Sequence, residues 1–239
     1  MREEMTFDNY IVNTSNSMVL NIAGRIAEKR DCPQLSYIYG DSGNGKTHLM
    51  KAILTAVCDD KTYESAEYIT AEDITAEILN AIRKTNTEQI IQKYSDIGLL
   101  LIDNFDVFIN KDATSYEIYR IFEKRIAEGR PSVVASVKKL VDSPYIPQLA
   151  GVLQESVQVG IEAMDIKQRM QVLGWLSKDY RKPLFSQETC EKIAENMDNI
   201  RMMKSFLKKV DIYLDTFSKD ELTEEDIDRL IEKIVSNDL

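Results

Sequence analysis

Between an apolar run, Leu35-Ser36-Tyr37-Ile38-Tyr39, and a second apolar stretch beginning at Leu49, the chain carries Gly40-Asp41-Ser42-Gly43-Asn44-Gly45-Lys46-Thr47. No other stretch restricts the fold so tightly. Gly40, Gly45, Lys46 and Thr47 fill the fixed positions of a phosphate-binding loop: glycine, four free residues, then glycine, lysine and a hydroxyl residue. The glycines let backbone N–H groups curl around an anion, which then rests on the positive end of the following helix. The loop therefore needs a strand delivering the chain to it and a helix leaving it, the latter expected to run to about residue 57. Asp41, Ser42, Gly43 and Asn44 complete the cradle. Lys46 is spaced to reach the β- and γ-phosphates of a nucleotide, and the Thr47 hydroxyl to ligate Mg²⁺.

Residues 97–103, Ile-Gly-Leu-Leu-Leu-Ile-Asp, form a nearly continuous apolar run ending in Asp103, the pattern of a buried parallel strand. A carboxylate at that strand's carboxyl end stands where a second Mg²⁺ ligand belongs. Further strands are expected at 68–70, 132–136 and 157–163. Helices are expected at 17–29 (capped by Ser15 or Asn16), from 71 to a polar break at Lys84-Thr85-Asn86, on to about 94, and over 115–128. The last of these turns Ile118, Ile121, Phe122 and Ile126 inward, and Pro144 and Pro147 mark a loop. Strands alternating with helices give an α/β fold with a parallel sheet covered on both faces. After Met164 only helices follow, at 165–180, 186–197, 200–217 and 223–235, with Asp165, Ser186 and Thr223 at their N-caps. The expected organisation is an α/β base over 1–163 and a four-helix lid over 164–239.

The net charge of −10 repels phosphate backbones, so strong autonomous binding to duplex DNA is not expected and protein partners suit the chain better. No apolar run approaches the ~20 residues of a membrane-spanning helix, and residues 1–5 lack the apolar core of a signal peptide. The expected location is cytoplasmic, with no membrane partner. Cys32, Cys58 and Cys190 lie far apart without ligand spacing and read as free thiols.

The loop, the strand ending in Asp103 and the helical carboxyl-terminal part together resemble an AAA+ ATPase. Thr6-Phe7-Asp8-Asn9-Tyr10, the 40–50 segment with His48-Leu49, residues 76–94, Leu100-Leu101-Ile102-Asp103 and Asn199-Ile200-Arg201 are similar to the central ATPase domain of the bacterial DnaA-type replication initiators. The resemblance implies a P-loop AAA+ sheet with a helical insertion over 71–94, and no duplex-reading domain. It implies ATP or ADP with Mg²⁺ as ligands. Tyr10, Ile11 and Val12 would wall the adenine, Thr47 and Asp103 would hold the metal, and Arg201 would reach the phosphates from the lid. His48 belongs to the family pattern, and Ser136 sits where a phosphate-sensing strand ends.

The hydrolytic parts depart from the family. Asn104 follows Asp103 where a second carboxylate is expected, and an amide cannot take up a proton from water; general-base help is worth ~10²–10⁴-fold. Ser156 stands where the family offers an arginine to its neighbour, a group worth ~10³-fold or more, and Val152 replaces a second basic residue. Ala113 takes the place of a strand-binding arginine, leaving Lys111, Arg83 and Lys84 for weak single-stranded DNA binding, while Leu79 reads as core. Trp175 reads as lid packing. The expected function is a nucleotide-bound module with weak or no hydrolysis, acting in replication initiation or its control through DnaA, the replicative helicase or the sliding clamp. An Hda-like regulator of DnaA and a DnaC-type helicase loader stand as alternatives.

Overall fold

The computed structural model describes residues 4–179 and 185–235. The chain divides into two units, one of Met1–Asp41 and Gly45–Glu162, the other of Ser42–Asn44 and Ala163–Leu239.

The first unit is built on β1 (Leu35–Gly40), β2 (Ala66–Thr70), β3 (Leu99–Asp103), β4 (Ser132–Ser136) and β5 (Val157–Ile161). All pair in parallel, in the order β2-β3-β4-β1-β5. The carboxyl ends therefore share one rim, where Thr70 stands opposite Asp103 and Tyr39 opposite Ser136. The continuous apolar run of β3 follows from burial on both sides. Leu100 and Ile102 join one core, with Tyr37, Phe105, Phe122 and Val134, while Leu99 and Leu101 join the other, with Ile38, Ile53 and Val133.

Helices α1 (Ser17–Ala27) and α2 (Lys46–Asp59) supply the second core; α3 (Ala71–Arg83), α4 (Thr87–Ser95), α5 (Asp112–Ala127) and α6 (Pro147–Gln154) supply the first. Several boundaries differ from the sequence reading, each for a local reason. Pro147 opens α6 where a loop was expected: a proline at the first helical position gives up an N–H that has no partner there. Helix α5 starts at Asp112, before Ser115, its acidic residue lying in the first turn. Leu79 is not core but 39% exposed; α3 instead buries Ile74, Thr75, Ile78 and Ala81. Asn16 occupies the N-cap of α1 without capping it. Its side chain accepts from Asn13 N at 2.9 Å and donates to Ile11 O at 2.8 Å, folding the preceding loop instead.

The largest departure is in α5. Ile126 is only partly buried, and its neighbour Arg125 is fully buried. Arg125 Nε donates to Ser132 Oγ (2.7 Å), Nη1 to Tyr94 O (2.8 Å) and Ile97 O (2.6 Å), and Nη2 to Pro131 O (2.5 Å). Burial, with Arg130 nearby, pulls the guanidinium down to about 10. One side chain thus ties the end of α4 and the entry to β3 to the first residue of β4.

The second unit holds α7 (Ile166–Leu176), α8 (Gln187–Asn196), α9 (Ile200–Thr216) and α10 (Glu224–Val235). The expected extension of α7 to Tyr180 falls partly outside the described residues; a short 3-10 turn, Ser177–Asp179, follows the helix. Asp165 and Gln168 form a reciprocal capping box at 2.8 and 2.9 Å. Ser186 accepts from Thr189 N (3.1 Å) and Thr223 Oγ1 from Asp226 N (3.2 Å), which orders the starts of α8 and α10. Lys219, Tyr213 and Thr223 hold the Asp226 carboxyl well below the usual carboxylate range. Trp175, expected to be packing, is instead 39% exposed on α7, which buries Val172, Leu173 and Leu176. Among the described residues, no helix is long and apolar enough to cross a membrane.

Candidate phosphate and metal site

The loop after β1 takes a conformation that only its glycines permit. Gly43 and Gly45 have φ of +88° and +96°, and Gly45 is the N-cap of α2. A Cβ on Gly40 would stand 2.6 Å from Ile161 O on the neighbouring strand. Lys46, the first residue of α2, is buried, and its ammonium donates to Gly40 O at 2.6 Å and Asp41 O at 2.9 Å. The cation is therefore held over the loop's own carbonyls, at the place where the loop would cradle a phosphate.

Thr47 Oγ1 donates to Asp103 Oδ2 at 2.6 Å, so the two expected metal ligands already touch. Tyr68 OH donates to the same oxygen at 2.9 Å, and Asn104 N donates to Asp103 Oδ1 at 2.9 Å. Burial and the Asp103 carboxylate push the Tyr68 phenol well above its ordinary range, which keeps it a donor. A hydroxyl and a buried carboxylate side by side at a phosphate loop fit a hard cation that keeps waters and phosphate oxygens in its shell, as Mg²⁺ does. Among the described residues no group of three or more His, Cys, Asp or Glu is arranged to hold a metal by itself.

Tyr10 lies beside Gly45, which a Cβ would bring within 3.3 Å of the Tyr10 ring, and stands edge-on to His48 with ring centroids 5.3 Å apart. His48 Nε2 lies 3.0 Å from Thr6 O and 2.8 Å from Asn9 Oδ1, both acceptors, so this nitrogen carries the proton. The histidine pins the amino-terminal segment to α2. Ile11 is part-buried and Val12 is exposed. The Tyr10 hydroxyl is buried, and burial pushes the phenol up to about 12 against the opposing pull of Asn16. Asn44 Oδ1 is buried without a hydrogen-bond partner. Such an atom costs ~1–3 kcal/mol, and a polar ligand at the loop would relieve the cost.

Asn104 has φ +56°, a left-handed conformation that asparagine tolerates. Its Nδ2 donates to both carboxylate oxygens of Glu72, at 3.3 and 3.4 Å. Ser136, buried at the end of β4, has Oγ 3.5 Å from Asp106 Oδ1, and Val137 N donates to that oxygen at 3.1 Å. Tyr68, Glu72 and Asp106 escaped the sequence reading. No local pattern marks them; Tyr68 and Glu72 join the site because β2 neighbours β3, which sets residues near Thr70 beside Asp103. In the second unit Arg201 Nη1 donates to Ser42 Oγ at 3.1 Å. Ser156 follows α6 and turns its hydroxyl back onto Leu153 O at 2.6 Å.

Residues 1–164 match the family described as the bacterial DnaA ATPase domain. The chromosomal replication initiator protein DnaA of Onion yellows phytoplasma is 30% identical over 223 residues, covering 90% of this chain and 44% of that protein. The chain thus spans about half the length of the curated relatives it matches. Among solved structures, domain III of the Thermotoga maritima replication initiation protein DnaA superposes with a TM-score of 0.86 at 23% identity, covering 98% of each chain. A replication initiator DnaA bound to AMPPCP and single-stranded DNA gives 0.79 at 22% identity, covering 90% of this chain and 68% of that one. These two likenesses establish the fold: a P-loop parallel sheet flanked by helices, with a helical carboxyl-terminal part, as the sequence led one to expect.

Proposed function

We propose that this chain, which belongs to the bacterial DnaA ATPase domain family, is a nucleotide-binding module that acts in replication initiation or its control through protein partners. The observation that carries the reading is the 2.6 Å bond between Thr47 Oγ1 and Asp103 Oδ2 beside the buried Lys46. A hydroxyl and a carboxylate in contact beside a buried cation support a site for Mg-ATP or Mg-ADP. Residues 1–163 serve as the nucleotide-binding base, with 71–94 as its helical insertion, and residues 164–239 as the helical part that carries Arg201 for nucleotide binding. Thr47 and Asp103 hold Mg²⁺, which when bound offsets phosphate charge. Tyr10, Ile11 and Val12 wall the base, and Ser136 monitors the phosphate end.

Hydrolysis is weak. Asn104 gives a donor where a proton acceptor belongs, and Ser156 offers no cation to a neighbour. Such a subunit accepts a neighbour's arginine without donating one, which suits the end of an initiator filament. Nucleotide then works by favouring one conformation over another. Single-stranded DNA contact is weak, resting on Arg83, Lys84 and Lys111, and DnaA itself is the favoured partner over helicase or clamp.

The test is sedimentation with ATP-bound DnaA, alongside Mg-ATP turnover of the chain alone. Co-sedimentation with turnover well below one per second is expected. Homofilaments formed with ATP, or turnover of several per second, would refute the reading, and a parallel pull-down with helicase and clamp identifies the alternatives.

A further inference from the structure

The Asn104–Glu72 contact bears on how any ATP is consumed. Asn104 follows the metal-site aspartate directly, and its backbone N–H is already spent on Asp103 Oδ1. Its side-chain amide faces both oxygens of Glu72, which sits two residues past the end of β2, the strand paired with β3. Glu72 and Asn104 are both exposed at this rim, so water reaches them. The amide donates and the carboxylate accepts. That leaves the carboxylate with lone pairs for a water molecule, held by a group that cannot itself take a proton.

The geometry points to Glu72 as the general base for ATP hydrolysis, with Asn104 as its positioning residue: the carboxylate absent from position 104 is supplied from the start of α3. This rests on the reading of a nucleotide site at residues 40–47. In the step, a water oxygen bonds to the γ-phosphorus while one water proton passes to Glu72. The bond from the γ-phosphorus to the bridging oxygen breaks, and its electron pair leaves on the β-phosphate of ADP. Glu72 then returns its proton to solvent. Asp103 is the less suitable base, since it is buried and accepts from Thr47, Tyr68 and Asn104, whereas Glu72 is exposed and accepts from the Asn104 amide. A base that must first be aligned by a flexible amide also fits slow turnover.

Glu72→Gln keeps size and shape while removing basicity. In single-turnover assays it should hydrolyse ATP ~100-fold more slowly than wild type. A fluorescent ADP analogue should bind it as tightly as wild type, and nucleotide extracted after incubation should be mostly ATP rather than ADP. The exchanged pair Glu72→Gln with Asn104→Asp restores one amide and one carboxylate in the opposite order, and should recover most of the lost rate. The inference is overturned if Glu72→Gln hydrolyses at the wild-type rate, or if wild type binds nucleotide but shows no hydrolysis at all. Either result leaves the nucleotide site standing. Failure of wild type to bind nucleotide would instead remove the site and the inference together.

Discussion

Replacing Arg125 by alanine is expected to destabilise the first unit by about 4 kcal/mol, measured as a fall in the urea midpoint. The arithmetic follows from what the guanidinium leaves behind. The Tyr94 and Ile97 carbonyls and the Ser132 hydroxyl lose their donors inside the core, while Pro131 O keeps the Leu100 N–H, at ~1–3 kcal/mol for each group left dry. Water entering the vacated space recovers part of this. Arg125→Lys should regain little, because an ammonium carries three donors on one atom and cannot reach acceptors spread around a planar fork. Domain stabilities of ~5–15 kcal/mol make such a loss visible as poor expression at 37 °C. A change below ~1 kcal/mol would mean that solvent already reaches the guanidinium.

Lys46→Ala should weaken ATP and ADP binding by about 100-fold, read by titration with a fluorescent nucleotide. The ammonium is buried and pre-aimed by Gly40 O and Asp41 O, so its charge-assisted bonds to phosphate belong at the upper end of ~1.5–3 kcal/mol. That range converts to roughly 10- to 150-fold in affinity. Asp103→Asn should give a different signature. Chelating Mg²⁺ should weaken binding to the wild type but leave the variant nearly unchanged, because the ligand that senses the metal is gone. Nucleotide affinity unchanged within about threefold in Lys46→Ala would dissociate the loop from nucleotide binding.

The sequence disclosed the parts of this molecule governed by periodicity and by covalent constraint. Glycines at 40 and 45 with Lys46 and Thr47 admit few backbone paths, and the all-apolar β3 admits few environments. What stayed hidden was set by tertiary neighbours. Arg125 sits at a position where helical spacing asks only for a side chain facing inward, and nothing local says that an arginine will find five acceptors there. Glu72 and Tyr68 become site residues only because β2 pairs with β3, a fact of strand order rather than of pattern. Leu79 shows the converse: an apolar residue on an amphipathic helix is expected to be core, but α3 covers the sheet with Ile74, Ile78 and Ala81, and Leu79 falls beyond that stripe. Pro147 illustrates a rule applied in the wrong direction, since the residue that ends helices also begins them.

Arg125 has one more consequence, for how the sheet finds its pairing. Leu100 stands opposite Ser132 where β3 meets β4, and the guanidinium grips Ser132 and Pro131 from one side and Tyr94 and Ile97 from the other. Between Ser132 and Ser136 and ahead of Asp103 both strands are apolar on each face, so a slip of one residue would exchange one greasy face for another at small cost to burial. The polar acceptors cannot slip so freely. A misaligned β4 would carry the Ser132 hydroxyl and the Pro131 carbonyl away and strand a buried charge, a penalty of several kcal/mol. The arginine thus acts as a proofreader of alignment, rejecting pairings that the hydrophobic pattern alone would accept.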